Sequence, residues 1–209
     1  MTGALRRTII VTGITTIACA PRSDPPQPMP SETAKPAEPA THQHGPMLPA
    51  TPGPGFTVAD VRFMQNMIGH HAQAITMAAL APKLGASYNV LRLAQKIDIS
   101  QRDEIDMMKQ WLRERRQAVP DDAQSHAMMM PGMLTPEMMA RLGKARGREF
   151  DRLFLTFMIG HHEGALQMVD ELVKSPGAAQ DSDIFRFATD VDADQRDEIF
   201  VMQRMLDSM

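Results

Sequence analysis

Two copies of the tetrapeptide Ile-Gly-His-His, Ile68–His71 and Ile159–His162, supply four of the seven histidines in this 209-residue chain. Each copy stands between methionines, Met67 and Met77 around the first and Met158 and Met168 around the second. His70, His71, His161 and His162 with these four thioethers form a ligand set for a soft or borderline metal ion. Neutral imidazole suits copper, zinc and iron, and thioether sulfur favours Cu(I). A second repeated block, Gln-Arg-Asp-Glu-Ile at Gln101–Ile105 and Gln195–Ile199, adds Glu104 and Glu198. These carboxylates can orient the imidazoles or complete a coordination shell. A metal-free reading stands beside this one, in which buried His–Glu pairs fix the register of helices.

The matches extend beyond the tetrapeptides. Asp60 pairs with Asp151, Phe63 with Phe154 and Ala74 with Ala165, all at the 91-residue offset that separates His70 from His161. A repeat of this length, with both blocks in the same order, marks a duplicated two-helix unit.

The elements that must position these groups are helices. Thr57-Val-Ala-Asp60 has capping-box spacing and opens a helix that Pro82 stops near Ala81. Ser87 is a cap for a second helix from about Tyr88 to Arg116. Thr135-Pro-Glu137 opens a short helix. A third long helix covers about Arg148–Lys174 and is ended by Ser175-Pro-Gly177, and a fourth runs from Asp181 or Ser182 to the C-terminus. No useful period-two alternation occurs, so strands are not expected. The spacing predicts an all-α fold, an antiparallel four-helix bundle built from a duplicated two-helix unit. Repeat one is residues 57–116, a Met-rich connection 117–134, and repeat two 135–209.

Helical phasing at about 100° per residue puts His71 on a stripe with Met64, Met67 and Ala74, and His162 on a stripe with Met158 and Ala165. His70 and His161 fall on the flanks, so neighbouring histidines diverge and serve different contacts. On the second helix Leu91, Ala94, Gln101, Ile105 and Met108 share a face, with Asp98 and Glu104 at its edges. On the fourth, Phe185, Ala188, Gln195, Ile199 and Met202 do so, with Asp192 and Glu198 at the edges. The connection carries Met128, Met129, Met130 and Met133 beside His126, a segment suited to capturing soft metal, because loop thioethers gain little by packing. His42-Gln-His44 with Met47 is a weaker set of the same kind.

The N-terminus sets the compartment. Arg6 and Arg7 precede an uncharged stretch, Thr8–Ala18, too short to span a bilayer and placed as a secretory signal is. Cys19, the one cysteine, follows as in an acylated lipoprotein, although Thr16 stands where leucine is usual. Residues 1–19 are therefore expected to be a signal peptide, with a lipid anchor on Cys19, and residues 20–55 a disordered Pro-rich tether. The expected location is extracytoplasmic, on a membrane or in the periplasm. A net charge of -3 without a basic run argues against nucleic acid as partner. No P-loop, dinucleotide fingerprint or nucleophile motif occurs, so nothing points to hydrolytic or nucleotide chemistry. A carboxylate-bridged di-iron site would need Glu-x-x-His on two helices, and Glu104 and Glu198 have no histidine at that spacing.

Met67-Ile-Gly-His70-His71-Ala-Gln-Ala74-Ile-Thr-Met77 followed by Gln101-Arg-Asp-Glu104-Ile105, with its second copy Met158–Met168 and Gln195–Ile199, resembles the domain-of-unknown-function family 305. The resemblance covers about Phe56 to Met209. It implies a ferritin-like bundle in an exported protein and, from some members, periplasmic copper binding through His and Met in support of copper tolerance. The resulting expectation is a copper-sequestering or copper-delivering protein with metal ligands among Met67, His70, His71, Met77, Met158, His161, His162 and Met168, assisted by Glu104 and Glu198. The alternatives are a ferritin-like di-metal or redox oxidoreductase and a purely structural helical domain.

Overall fold

The computed structural model describes residues 48–121, 123–124 and 129–209. The expected signal peptide, Cys19, His42, His44 and Met47 lie outside the described residues, as do His126 and Met128 of the connection. Among the described residues the helices are α1 (Val58–Ala78), α2 (Tyr88–Glu114), α3 (Pro136–Lys144), α4 (Gly147–Lys174) and α5 (Ser182–Asp207), with a 3-10 turn at Ala81–Lys83 after α1. There is no strand among them. α1 packs along α2, α4 along α5, and α1 against α4, which gives the four-helix bundle. The short α3 rests on α4.

Local chemistry fixes the helix ends. The Thr57 hydroxyl accepts the Asp60 N–H at 3.3 Å and the Asp60 carboxylate accepts the Thr57 N–H at 2.7 Å, a complete capping box. Thr135 caps α3 by accepting the Met138 N–H, with Pro136 in the first turn. Ser87 occupies the cap position of α2, but its side chain makes no capping bond. Its backbone N–H instead donates to both oxygens of Asp151, at 3.1 and 3.2 Å.

That bond has a counterpart in the other direction. Asp60, on α1, accepts the N–H of Ala179 at 2.7 Å, in the turn between α4 and α5. Asp151, on α4, accepts from the turn between α1 and α2. The matched aspartates thus clamp the two repeats reciprocally, and both are buried. A buried carboxylate that satisfies backbone donors is costly to remove, because the donors lose their partner as well. Asp60→Ala is expected to lower the unfolding free energy by about 2–4 kcal/mol in urea titration, combining a lost cap with a lost charged hydrogen bond. Asp98→Ala, at a solvent-facing ion pair, is expected to change it by about 0.5 kcal/mol. Equal losses at the two positions would contradict the clamp.

The core forms two apolar clusters. One holds Phe63, Met64, Met67, Met108, Met168 and Phe187, and the other Met77, Leu142, Phe150, Phe154, Met158 and Met202. Two expectations are corrected here, at Phe185 and at residues 48–55. Phe185 is not on the core face of α5 but 61% exposed, since Ile184, Phe187 and Val191 fill that side. Asp98 and Asp192 keep the expected place at the edge of the core face, half-exposed, and pair with Arg102 and Arg196 one helical turn on, each with a contact of 2.8 Å. Residues 48–55 do not behave as tether. Leu48 and Ala50 pack on the first cluster, and the Gln65 amide donates to the Pro49 carbonyl at 3.1 Å.

Candidate metal centre

The duplicated histidines meet where α1 faces α4. The His70 and His161 rings lie 3.8 Å apart between centroids, tilted by 38°. On either side of this pair, a histidine reaches outward to a carboxylate of the same repeat. His71 Nε2 is 2.5 Å from Glu104 Oε2, and His162 Nε2 is 2.7 Å from Glu198 Oε2. The four histidines are all buried, none more than 1% exposed. Phasing put His70 and His161 at the border of the core. They are interior because the flanks of α1 and α4 are turned toward each other. Neighbouring histidines do diverge in their contacts, with ring centroids 6.3 Å apart in each copy.

The acceptors decide which nitrogen carries the proton. Glu104 and Glu198 can only accept when ionised, so His71 and His162 each donate through Nε2–H. The Pro131 carbonyl, 3.1 Å from His70 Nε2, imposes the same on His70. In a neutral ring this leaves the lone pair on Nδ1. In all three rings Nδ1 is buried without a hydrogen-bond partner, and in His161 both ring nitrogens are. The Gln101 side-chain oxygen is in the same condition. Buried polar atoms without partners are rare in folded proteins, so such a concentration calls for an explanation by an ion or water.

Electrostatics keeps the central pair uncharged. Burial, then the neighbouring His71, pushes His70 down to about 3, against which the Pro131 carbonyl works only partly. Burial and the surrounding histidines hold His161 well below the ordinary histidine value. A neutral imidazole with a free lone pair is the protonation state that binds metal. Glu198 is held below the ordinary glutamate value, because its bonds to His162 and Lys96 outweigh the opposing effect of burial.

The four candidate thioethers are divided between the two apolar clusters in crossed pairs. Met67 and Met168 share the first apolar cluster, and Met77 and Met158 share the second, so each cluster takes one of these four from each repeat. All four are buried. Among the described residues, no three His, Cys, Asp or Glu side chains converge on one point. The thioether sulfurs of Met67, Met77, Met158 and Met168 are further donors close to the histidines in the sequence.

Sequence reasoning missed what closes the centre. Gly132, at φ 77, and Pro131 lie directly on α4, where a Cβ on Gly164 would stand within 1.9 Å of the Pro131 oxygen. The helix surface at Gly160 and Gly164 is bare enough for backbone to touch backbone. At the matching position of α1, Gln73 holds the same segment differently, donating to the Leu134 carbonyl and accepting the Leu134 N–H at 3.0 and 2.7 Å. Met130 is only 7% exposed and belongs to the first cluster. The idea that the loop thioethers gain little by packing is therefore corrected for Met130. The signal was present as Gly164, a glycine inside α4 whose match in the other repeat is Gln73.

Comparisons with known proteins identify the family and support the fold. The family model described as "Domain of unknown function (DUF305)" matches residues 60–206. The chain belongs to the DUF305 family. A DUF305 fragment from Deinococcus radiodurans is 28% identical, with a TM-score of 0.65 over 75% of this chain and all of that one, 100%. A DUF305 protein from Streptomyces coelicolor, described as secreted, is 28% identical, with a TM-score of 0.64 over 72% of this chain and 93% of that one. CopM in its Cu(I)-bound form is 27% identical, with a TM-score of 0.58 over 71% of this chain and 96% of that one. CopM is also known in Cu(II)-bound and Ag-bound forms. No curated protein matches the chain.

Proposed function

We propose that this DUF305 protein is an exported copper-binding protein that sequesters or hands on Cu(I) through buried imidazole and thioether ligands. The observation that carries this reading is the set of buried imidazole nitrogens without partners, three of them Nδ1 atoms whose rings are fixed by an acceptor at Nε2. A carboxylate–histidine pair with its far nitrogen free is how proteins prepare an imidazole for metal. His71–Glu104 and His162–Glu198 have that form, and each repeat supplies one. Met67, Met77, Met158 and Met168 offer the soft donors beside them, which favours Cu(I) over harder ions. The likeness to CopM, which binds copper and silver, supports the same choice of metal. On this reading Cys19 carries a lipid anchor, and the protein works outside the cytoplasm on a membrane surface.

The di-metal oxidoreductase reading has less support, because its carboxylate-rich cluster would need at least three converging His or acidic groups. The metal-free structural reading accounts for the two His–Glu bonds but requires ordered water at the unpartnered Nδ1 atoms. X-ray absorption at the copper edge, on protein loaded with Cu(I), tests the proposal. Mixed nitrogen and sulfur scattering is expected. A shell of nitrogen and oxygen alone would contradict the thioether assignment, and failure to retain copper through desalting would contradict the function.

A further inference from the structure

The two His–Glu pairs are related by the duplication but are not electrostatically alike. Glu198 is 4% exposed, and its second oxygen lies 3.2 Å from the ammonium of Lys96 on α2. Glu104 is 15% exposed, and its described ion pair is with His71 alone. The offset that relates Glu104 to Glu198 relates Lys96 to Asp190 and Ser100 to Asp194. Glu198 has a cation beside it, whereas the residues that the offset matches to Lys96 and Ser100 are both acids. Asp194 reports the arrangement. Its carboxyl is raised above the ordinary value by burial first and then by Glu104, Glu198 and Asp190, with Lys96 opposing. The α2–α5 seam therefore carries Glu104, Asp190, Asp194 and Glu198 with one lysine among them, and that lysine, though part of repeat one, pairs with Glu198.

The consequence for a bound cation follows from elementary electrostatics. A carboxylate that shares its charge with an ammonium is a weaker acceptor for the imidazole N–H, and the imidazole is then a poorer donor at its far nitrogen. The ammonium also repels an arriving cation, while uncompensated carboxylates attract one. Both effects favour His71 over His162. We propose that Lys96 makes the centre load in order, a first monovalent soft cation taking the His71–Glu104 half and a second the His162–Glu198 half. Lys96 is on this account a positioning residue, acting through Glu198 without touching the ion. The inference rests on the copper-binding reading above, since it assigns an order to ligands which that reading supplies.

The test is a titration of the full chain, labelled with 15N-histidine, with Ag(I), which is redox-inert and matches the charge and softness of Cu(I). In the native protein the Nδ1 resonance of His71 is expected to move over the first equivalent and that of His162 over the second. The two steps should be roughly tenfold apart in affinity, the lower end of what an outer partner contributes. In Lys96→Met the two resonances should move together, and in Lys96→Arg the order should be kept. The Lys96 side chain is 61% exposed, so the variant is expected to fold, which its amide spectrum verifies. Simultaneous movement in the native protein, His162 moving first, or an unchanged order in Lys96→Met would each overturn the proposal. Silence of all four histidines at two equivalents would instead defeat the copper-binding reading, so the two failures are distinguishable.

Discussion

Replacing Gly164 by alanine is expected to expel the Met130–Leu134 segment from its seat on α4. The added methyl would lie 1.9 Å from the Pro131 carbonyl oxygen and 2.7 Å from the Gly132 Cα, both backbone atoms that no rotamer change can move aside. Alanine suits a helix better than glycine by about 1 kcal/mol, so an exposed helical glycine would be improved by the change. Here overpacking dominates, at about 1–3 kcal/mol or more, and the net effect is destabilising. Loss of the segment also removes the acceptor of His70 Nε2 and exposes Met130. The measurements are urea unfolding and hydrogen exchange at residues 130–134. A lowered midpoint with faster exchange confined to the segment is the expected result. Gly143→Ala, where the added Cβ meets nothing, serves as the control and should be neutral or mildly stabilising. Equal behaviour of the two variants would contradict the seat.

The second large effect concerns the carboxylates. Glu104→Ala with Glu198→Ala should weaken Cu(I) binding about 10–100-fold for each half, the usual loss when the outer partner of a metal-ligating histidine is removed. The variant should also lose stability, because His71 and His162 are fully buried and their Nε2–H groups would be left without acceptors. Glutamine at the two positions restores an acceptor but not the charge. Its stability is expected to recover more than its affinity. The metal-free reading expects the opposite balance, with a stability loss and no copper effect, so parallel denaturation and competition experiments separate the two accounts.

Much of the fold was legible because duplication repeats a signal that single helices give weakly. The capping box at Thr57, the stop at Pro82 and the Thr135-Pro pair placed helix ends to within a few residues, since each acts through its own backbone neighbours. The site was legible in part. His71 and His162 phase with core residues, and a glutamate at the matching place on the partner helix announced their contacts. The role of His70 and His161 was not legible, because a flank is interior or exposed according to which helix covers it. That depends on the packing of α1 against α4, and no local pattern records it. The Asp60 and Asp151 clamps were visible as a matched pair but not as contacts, for their partners are backbone N–H groups in the other repeat. Backbone donors leave no mark in a sequence. The seat of Pro131 on Gly164 escaped for a related reason, since it joins two stretches by bare backbone.

The central claim is that the four buried histidines, through nitrogens left free by the folded chain, hold soft metal. Its most direct test is a competition titration of Cu(I) between the protein and a chromophoric Cu(I) chelator, comparing the native chain with the His71→Ala, His162→Ala variant. The account predicts that the native protein holds Cu(I) more tightly than about micromolar and that the folded double variant loses bound stoichiometry. Unchanged stoichiometry in that variant would contradict it.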